Sequence, residues 1–220
     1  MRSPLAIGKP VLCYVTDRHS LAGGLAEATE LLLEKIEQAA KAGVDWIELR
    51  EKDLSGNQLA ELAQGALERA TSSSAILIND RLDVALAGNA GGVHLGERSL
   101  PVKEAKKFVN ERGAKGHFLV GASVHSLDRA VQAEADGADY VIFGPVYATP
   151  SKAEFGQPQG LVRLQAVCER VKIPVLAIGG ITLENARECF AAGASGIAAI
   201  RLFQDVADLR TLVRKLRGEI

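Results

Sequence analysis

Short apolar segments of this sequence repeatedly end at charged or polar residues that could act on a phosphorylated substrate. Arg50 and Lys52 follow one such segment, and Asn79 with Asp80 follows another. The two cations suit a diphosphate, because both donate charge-assisted hydrogen bonds to its oxygens. A carboxylate at Asp80 could hold Mg²⁺, which is often bound by one or two carboxylates plus substrate phosphates. It could equally cap the helix that is predicted to follow.

A second set of polar residues lies in the later part of the chain. Ser123 and His125 fall on one side of an extended segment. Ser123 could contact a leaving group and His125 could move a proton, although a histidine at a strand end is often structural. Thr149, Ser151 and Lys152 supply a further group of hydrogen-bond donors.

The Gly-Gly pair at 179–180 is the strongest local signal for a phosphate site. Glycines let the backbone approach an anion, and a helix predicted to start at Thr182 would direct its N–H groups toward it. The last predicted strand ends at Ile200 and Arg201, and the loops after strands seven and eight of a barrel often bind phosphate. A structural turn would also use two glycines. We predict substrate contacts at Gly179, Gly180, Ile200 and Arg201.

Eight strand-like and eight helix-like segments alternate along the chain and must position these groups. The strands are predicted at about 11–16, 45–49, 75–79, 92–95, 119–122, 139–143, 174–178 and 195–200. The helices are predicted at about 25–42, 55–70, 81–88, 101–111, 126–136, 160–171, 182–192 and 204–217.

This alternation without a linker predicts the α/β class and a closed (β/α)8 TIM barrel, with residues 1–220 as a single domain. An open doubly wound sheet is the main rival, but it would normally carry a glycine-rich loop after the first strand. Thr16, Asp17 and Arg18 stand there instead, and we interpret them as part of a structural ion pair near the barrel mouth.

The segment 148–160 is long enough to be a candidate substrate lid.

Composition limits the class of partner. The formal net charge is -1 and the basic residues are scattered, so neither nucleic acid nor an anionic membrane is expected as the main partner. The three cysteines show no metal-type spacing and are interpreted as reduced thiols. With neither a signal-peptide pattern nor a membrane-length apolar run, the sequence predicts a cytoplasmic protein. A homo-oligomer is compatible with the sequence.

Nearly the whole chain resembles the thiamin phosphate synthase and TenI-type thiazole tautomerase family. Each matching motif is weak alone, but their order is specific. The resemblance is carried by the segments Tyr14–Arg18, Leu49–Lys52, Ile78–Ala85, Gly92–Gly96, Ser123–Ser126, Gly137–Tyr140, Phe143–Tyr147 and Ala177–Ile181.

The resemblance implies a transferase that joins hydroxymethylpyrimidine diphosphate to thiazole phosphate and releases pyrophosphate. Its first substrate would contact Arg50, Lys52, Asn79, Ser123 and Lys152. Asp80 would hold Mg²⁺. The thiazole phosphate would lie among residues at the later strand ends, namely Thr149, Ser151, Gly180, Ile200 and Arg201.

Three positions depart from the family pattern. Glu48 stands where glutamine is usual, Ser99 where a second Mg²⁺ aspartate is expected, and Arg201 where a small serine is usual. Arg201 could grip phosphate or fill the pocket. These departures favour the alternative tautomerase, whose catalytic histidine matches His125, and a non-catalytic phosphate-binding barrel is a third alternative. The retained cations and Asp80 favour the synthase.

Overall fold

Eight parallel strands close into a barrel in sequence order in the computed structural model, which describes residues 8–21, 24–113, 118–149 and 157–219. Strand β8 pairs with β1, which completes the ring. The strands are β1 (Val11–Val15), β2 (Trp46–Leu49), β3 (Ala75–Asn79), β4 (Gly92–Leu95), β5 (Leu119–Val124), β6 (Tyr140–Phe143), β7 (Val175–Ile178) and β8 (Gly196–Ala199). The predicted TIM barrel is therefore confirmed.

Helices follow the strands around the outside of the barrel. In the described part of the chain they are α1 (Leu25–Ala42), α2 (Gly56–Arg69), α3 (Leu82–Ala87), α4 (Val102–Glu111), α5 (Leu127–Ala135), α6 (Gly160–Arg170), α7 (Ala186–Ala191), α8 (Arg201–Gln204) and α9 (Leu209–Leu216). A short 3-10 helix, Arg18–Ser20, follows β1.

Two helix predictions were wrong at their starts. The helix expected over 182–192 begins only at Ala186, because Thr182 and Asn185 form a turn with two reciprocal side-chain hydrogen bonds. The helix expected over 204–217 is divided into α8 and α9. Asp208 begins α9 by accepting a hydrogen bond from the Thr211 N–H at 3.0 Å. Local side-chain bonds of this kind compete with a continuous helix.

The core has two layers, because successive strand residues point to opposite faces of the sheet. Residues such as Leu12, Ile47 and Val93 pack outward against the helices. Cys13, Trp46, Leu77, Tyr140 and Leu176 belong to the cluster inside the barrel. The rings of Trp46 and Tyr140 are 4.5 Å apart, so bulky side chains fill the interior rather than leaving a channel.

A half-buried ion pair lies at the end of the barrel where the strands begin. Arg217 Nη2 lies 3.0 Å from Asp45 Oδ1, just before β2, and also donates to the Gly43 carbonyl at 2.7 Å. Asp45 Oδ2 accepts the Leu12 N–H at 2.8 Å. These contacts stabilise this end of the barrel, and their role is structural rather than catalytic.

The cysteines Cys13, Cys168 and Cys189 are free thiols, in agreement with the sequence interpretation. Among the helices of the described ranges, none has the length and apolar character needed to span a bilayer.

Candidate active site

The carboxyl ends of all eight strands meet at one end of the barrel, and the residues that directly follow them are called the mouth here. It includes Arg50 after β2, Asp80 after β3, Gly96 after β4, His125 after β5, Gly144 after β6, Gly179 after β7 and Ile200 with Arg201 after β8. The predicted site residues that the structure describes therefore share one edge.

The two cations after β2 lie beside the carboxylate after β3. Lys52 Nζ is 3.7 Å from Asp80 Oδ2, and the Lys52 side chain is 59% exposed. Arg50 is half-buried, and none of the described residues forms a salt bridge with its guanidinium. Both cations are thus placed where an anionic ligand in the mouth could reach them.

Asp80 adopts an unusual backbone conformation that is fixed by its neighbours. Its φ is 61°, in the left-handed region, and its N–H donates to the His94 carbonyl at 2.8 Å. Its Oδ1 accepts hydrogen bonds from the Gly96 N–H at 3.0 Å and from the Ser99 hydroxyl. Burial would raise the pKa of Asp80, but the bonds from Ser99 and Gly96, together with nearby Lys52, lower it below its usual value.

The alternative role of Asp80 as a helix cap is not seen. Helix α3 begins after Arg81 without a side-chain cap, and the Asp80 side chain turns instead toward Gly96 and Ser99. Oδ2 lies 3.7 Å from Lys52 Nζ, on the side of the carboxylate away from Ser99 and Gly96. A single carboxylate oxygen at a phosphate-binding mouth fits Mg²⁺, which needs few protein ligands when substrate phosphates complete its shell. The described residues contain no cluster of three or more His, Cys, Asp or Glu side chains that could hold a metal without substrate.

Glu48 lies below this group, inside the barrel on β2. It is 2% exposed. Burial raises the pKa of Glu48, and neighbouring positive charge such as that of Arg50 offsets this only in part. A buried carboxyl with a raised pKa favours its neutral form. Glu48 therefore belongs to the barrel interior and not to the exposed groups of the mouth.

Inside the barrel, His94 connects two hydroxyl groups. Its Nδ1 lies 3.2 Å from Tyr140 Oη, and its Nε2 lies 2.9 Å from Ser123 Oγ. Ser123, which was predicted to fall on the same side of the chain as His125, points inward toward His94. The Ser123 hydroxyl thus has a fixed position at the top of the barrel interior.

His125 is held by the strand end next to it. Its Nδ1 is hydrogen-bonded to the carbonyl oxygen of Gly144, which precedes the cis bond to Pro145. A carbonyl oxygen can only accept, so Nδ1 carries the proton. In neutral His125 the lone pair is then on Nε2, which no described residue occupies. The contact satisfies the structural role considered for His125 and also leaves Nε2 able to act as a base.

The glycines after β7 make room for the segment that follows β6. Gly179 has φ 96° and Gly180 has φ 65°, which only glycine adopts readily. A Cβ at Gly180 would lie 2.7 Å from the Ala148 carbonyl oxygen. The Gly179 carbonyl accepts the Tyr147 N–H at 3.0 Å. The pair therefore brings two mouth segments into contact.

The helix that was predicted to start at Thr182, beside these glycines, does not leave its first backbone N–H free for a ligand. The Thr182 N–H is bound by Asn185 Oδ1 at 2.8 Å, and Asn185 also donates to the Gly180 carbonyl at 2.9 Å. The free backbone donors lie closer to the strand ends. None of the described acceptors binds the N–H groups of Gly180 or Arg201.

The remaining predicted contacts divide into described and undescribed positions. Ile200 is half-buried at the end of β8, Arg201 is exposed as the first residue of α8, and Thr149 is half-buried. Whether Arg201 binds phosphate or fills the pocket stays open. Ser151 and Lys152 lie outside the described residues, as does most of the predicted lid.

Sequence and structure comparisons identify the family. The model described as thiamine monophosphate synthase matches residues 12–203. The chain belongs to this family.

Its relatives match over nearly their whole length. A "Putative thiamine-phosphate synthase" of Geobacter sulfurreducens is 44% identical over 207 residues, which is 93% of this chain and 92% of the relative. A "Thiamine-phosphate synthase" of Methanoculleus marisnigri is 44% identical over 183 residues, covering 83% and 84%. The solved "Thiamine phosphate pyrophosphorylase" from Pyrococcus furiosus superimposes with a TM-score of 0.80 at 33% identity, covering 94% of each chain.

The polar cluster around Arg18, next to the mouth, was only partly predicted from the sequence. Arg18 forms the expected ion pair near the mouth. Its partners are Glu51, which is buried, and Asp53, which is exposed. Nothing in the sequence assigned a role to Glu51. No local signal identifies it, because it lies after the end of β2, where strand alternation no longer fixes the direction of a side chain.

Proposed function

We propose that this protein is a thiamin phosphate synthase, which couples hydroxymethylpyrimidine diphosphate to thiazole phosphate and releases pyrophosphate. The observation that carries the proposal is the meeting of Arg50, Lys52 and Asp80 at one mouth in a chain of this family. A diphosphate leaving group needs such a concentration of positive charge, and no other described part of the mouth provides it.

The first substrate would bind with its diphosphate toward Arg50 and Lys52. Both cations stabilise the charge that builds up on the departing pyrophosphate. Asn79, which is buried at the end of β3, and the fixed Ser123 hydroxyl would orient the pyrimidine end. Mg²⁺ held by Asp80 would supply further neutralisation of the diphosphate. Lys152 is proposed as an additional contact.

The second substrate would bind on the opposite side of the mouth. Backbone N–H groups of Gly180 and Arg201, with the Arg201 guanidinium, would receive the thiazole phosphate, and Gly179 and Ile200 would shape the site. Thr149 and Ser151 are proposed as further contacts. The thiazole nitrogen then attacks the pyrimidine carbocation left by pyrophosphate departure, so no protein nucleophile is required.

A thiazole tautomerase is the second candidate, and the fixed tautomer of His125 favours it. An Nε2 lone pair held in one orientation is a suitable general base. A tautomerase would have no evident use for Arg50, Lys52 and Asp80, which is why the synthase is preferred.

The free thiols suit a reducing compartment, so we propose that the protein acts in the cytoplasm.

A paired assay separates the two candidates. Purified protein is given Mg²⁺ and both synthase substrates, and separately a thiazole carboxylate phosphate. We expect thiamin phosphate in the first reaction, with little effect of His125→Ala. Isomerisation without coupling, abolished by His125→Ala, would establish the tautomerase instead. Phosphate binding without either reaction would indicate a non-catalytic barrel.

A further inference from the structure

A buried polar cluster lies directly behind the two cations that are proposed to bind the diphosphate. It consists of Thr16, Arg18 and Glu51, with exposed fractions of 0%, 1% and 4%. Arg18 Nη1 donates to Glu51 Oε2 at 2.8 Å, and the Arg18 N–H contacts both carboxylate oxygens at 3.2 Å. These residues face away from solvent and therefore cannot bind substrate themselves.

The cluster is bonded directly to the segment that carries the cations. Thr16 Oγ1 donates to Glu51 Oε1 at 2.6 Å and accepts the Arg50 N–H at 3.0 Å. Arg18 also reaches beyond Glu51 to Asp53, with 2.7 Å between Nη1 and Oδ1. The backbone from Arg50 to Asp53 is thus held at its start, its middle and its end.

This attachment determines the direction of the neighbouring side chains. Glu51 is directed toward Thr16 and Arg18, which follow β1. In the described part of the chain neither the Arg50 nor the Lys52 side chain forms a hydrogen bond or ion pair with this cluster, so both are available to the mouth. Lys52 Nζ accordingly lies near Asp80, in the mouth. If Glu51 were released, rotation of this short segment would also move both cations.

The loop after β1 has a second anchor that does not depend on this cluster. Gln204 of α8 donates to the Asp17 carbonyl at 2.7 Å and accepts the Tyr14 hydroxyl at 2.7 Å. The loop should therefore stay in place when the cluster is altered, so the effect on the cations can be measured separately.

We propose that Thr16, Arg18 and Glu51 are positioning residues that hold Arg50 and Lys52 toward the pyrimidine diphosphate. The inference rests on the proposed function for the identity of the substrate. Its test does not, because inorganic pyrophosphate with Mg²⁺ presents the same diphosphate group. The cluster acts by pre-organisation, since a backbone segment already fixed beside the ligand loses less conformational freedom when the ligand binds.

The first test uses Thr16→Val, which keeps the shape of the side chain and removes the hydroxyl. We expect the dissociation constant for Mg²⁺-pyrophosphate, measured by titration calorimetry, to rise about fivefold or more. Thr16→Ser restores the hydroxyl and should return it to within about twofold of the wild type. Equal affinities in the Val and Ser variants and the wild type would overturn the proposal.

The second test removes the ion pair and uses a matched control on the same strand. Arg18→Met with Glu51→Met replaces both charges, which avoids leaving one of them buried alone. The control is Asp45→Met with Arg217→Met at the other end of β2. In both pairs the arginine Nε is buried without a described partner, but the control pair is less buried, with side-chain exposures of 13% and 11% against 1% and 1%. The free energy of unfolding of each double variant is therefore measured beside its affinity, and the affinities are compared where both variants are folded.

Only the variant near the mouth should weaken pyrophosphate binding, by about tenfold or more, and raise KM for the pyrimidine diphosphate. KM for thiazole phosphate should stay within about twofold. An equal loss of affinity in the control pair, or unchanged affinity in folded Arg18→Met/Glu51→Met, would contradict the proposal. If the wild type binds pyrophosphate but makes no thiamin phosphate, the proposed function fails while this comparison still decides the role of the cluster.

Discussion

At Asp80 the backbone and the side chain are constrained by different neighbours. The His94 carbonyl fixes the backbone, while Gly96 and Ser99 occupy Oδ1. Oδ2 is then the oxygen that points toward Lys52 and the mouth. Ser99, which stands where the resemblance would place a second aspartate, donates to Oδ1 and thereby orients the Asp80 carboxylate.

Asp80→Asn should separate metal binding from folding. Asparagine tolerates the left-handed backbone and keeps an acceptor for Ser99, but it removes the negative charge. We expect Mg²⁺ affinity in the presence of pyrophosphate to fall about tenfold or more, measured by titration calorimetry. Thiazole phosphate binding should change by less than about twofold. Equal loss of both ligands would mean that Asp80 is structural.

Arg201 can be tested by restoring the residue that is usual in the family. Arg201→Ser removes an exposed guanidinium from the first residue of α8. If this group grips phosphate, the dissociation constant for thiazole phosphate should rise about tenfold, as expected for a charge-assisted hydrogen bond. The opposite result, tighter binding or gained coupling activity, would show that Arg201 obstructs the site.

At the scale of elements, the turn after β7 depends on the backbone of Gly180. Gly180→Ala would combine left-handed backbone strain with contacts of 2.7 Å to the Ala148 oxygen and 2.8 Å to the Tyr147 Cβ. Gly218→Ala is the matched control, because Gly218 has φ 69° and no atom within 4 Å of an added Cβ.

Chemical denaturation should distinguish the two glycine variants. We expect Gly218→Ala to lower the free energy of unfolding by about 1 kcal/mol from backbone strain alone. Gly180→Ala should cost about 2–3 kcal/mol and also weaken thiazole phosphate binding, because the turn must shift. Similar effects of both substitutions on stability and binding would argue against a close-packed turn at the mouth.

The elements themselves were largely predictable from sequence. The apolar runs identified all eight strands within one or two residues, because each must be buried on both faces of a parallel sheet. The starts of α7 and α9 were missed for a different reason. They are set by the Thr182–Asn185 and Asp208–Thr211 side-chain bonds, and such bonds are compatible with several local conformations until the fold selects one.

The site was less predictable than the fold. Strand-end positions correctly placed Arg50, Asp80 and His125 at one mouth, since parallel strands align their carboxyl ends. The sequence did not reveal that Glu51 is buried against Arg18 or that His125 bonds to Gly144. Both contacts join different strands, so they follow from barrel closure and not from local spacing.

At the scale of the whole molecule, the buried Glu48 makes stability depend on pH. Its raised pKa means that folded protein keeps a proton over a pH interval in which the unfolded chain has lost it. The folded state binds more protons there, so stability falls as pH rises from the normal glutamate range through the raised pKa. Above that pKa the effect is constant.

Glu48→Gln removes this titration while keeping a similar shape. The free energy of unfolding of the variant, relative to the wild type, should therefore increase with pH, with a slope of at most about 1.4 kcal/mol per pH unit. Urea denaturation at a series of pH values from about 4 upward measures it. A difference that is constant with pH, or one that decreases as pH rises, would contradict the burial argument.

The central claim is that one mouth receives both phosphorylated substrates. A crystal structure of the protein with Mg²⁺, pyrophosphate and thiamin phosphate tests it most directly. We predict Mg²⁺ on Asp80, pyrophosphate between Arg50 and Lys52, and the thiamin phosphate group at Gly180 and Arg201. Pyrophosphate bound away from Arg50 and Asp80, or a thiamin phosphate group that does not reach Gly180, would contradict the account.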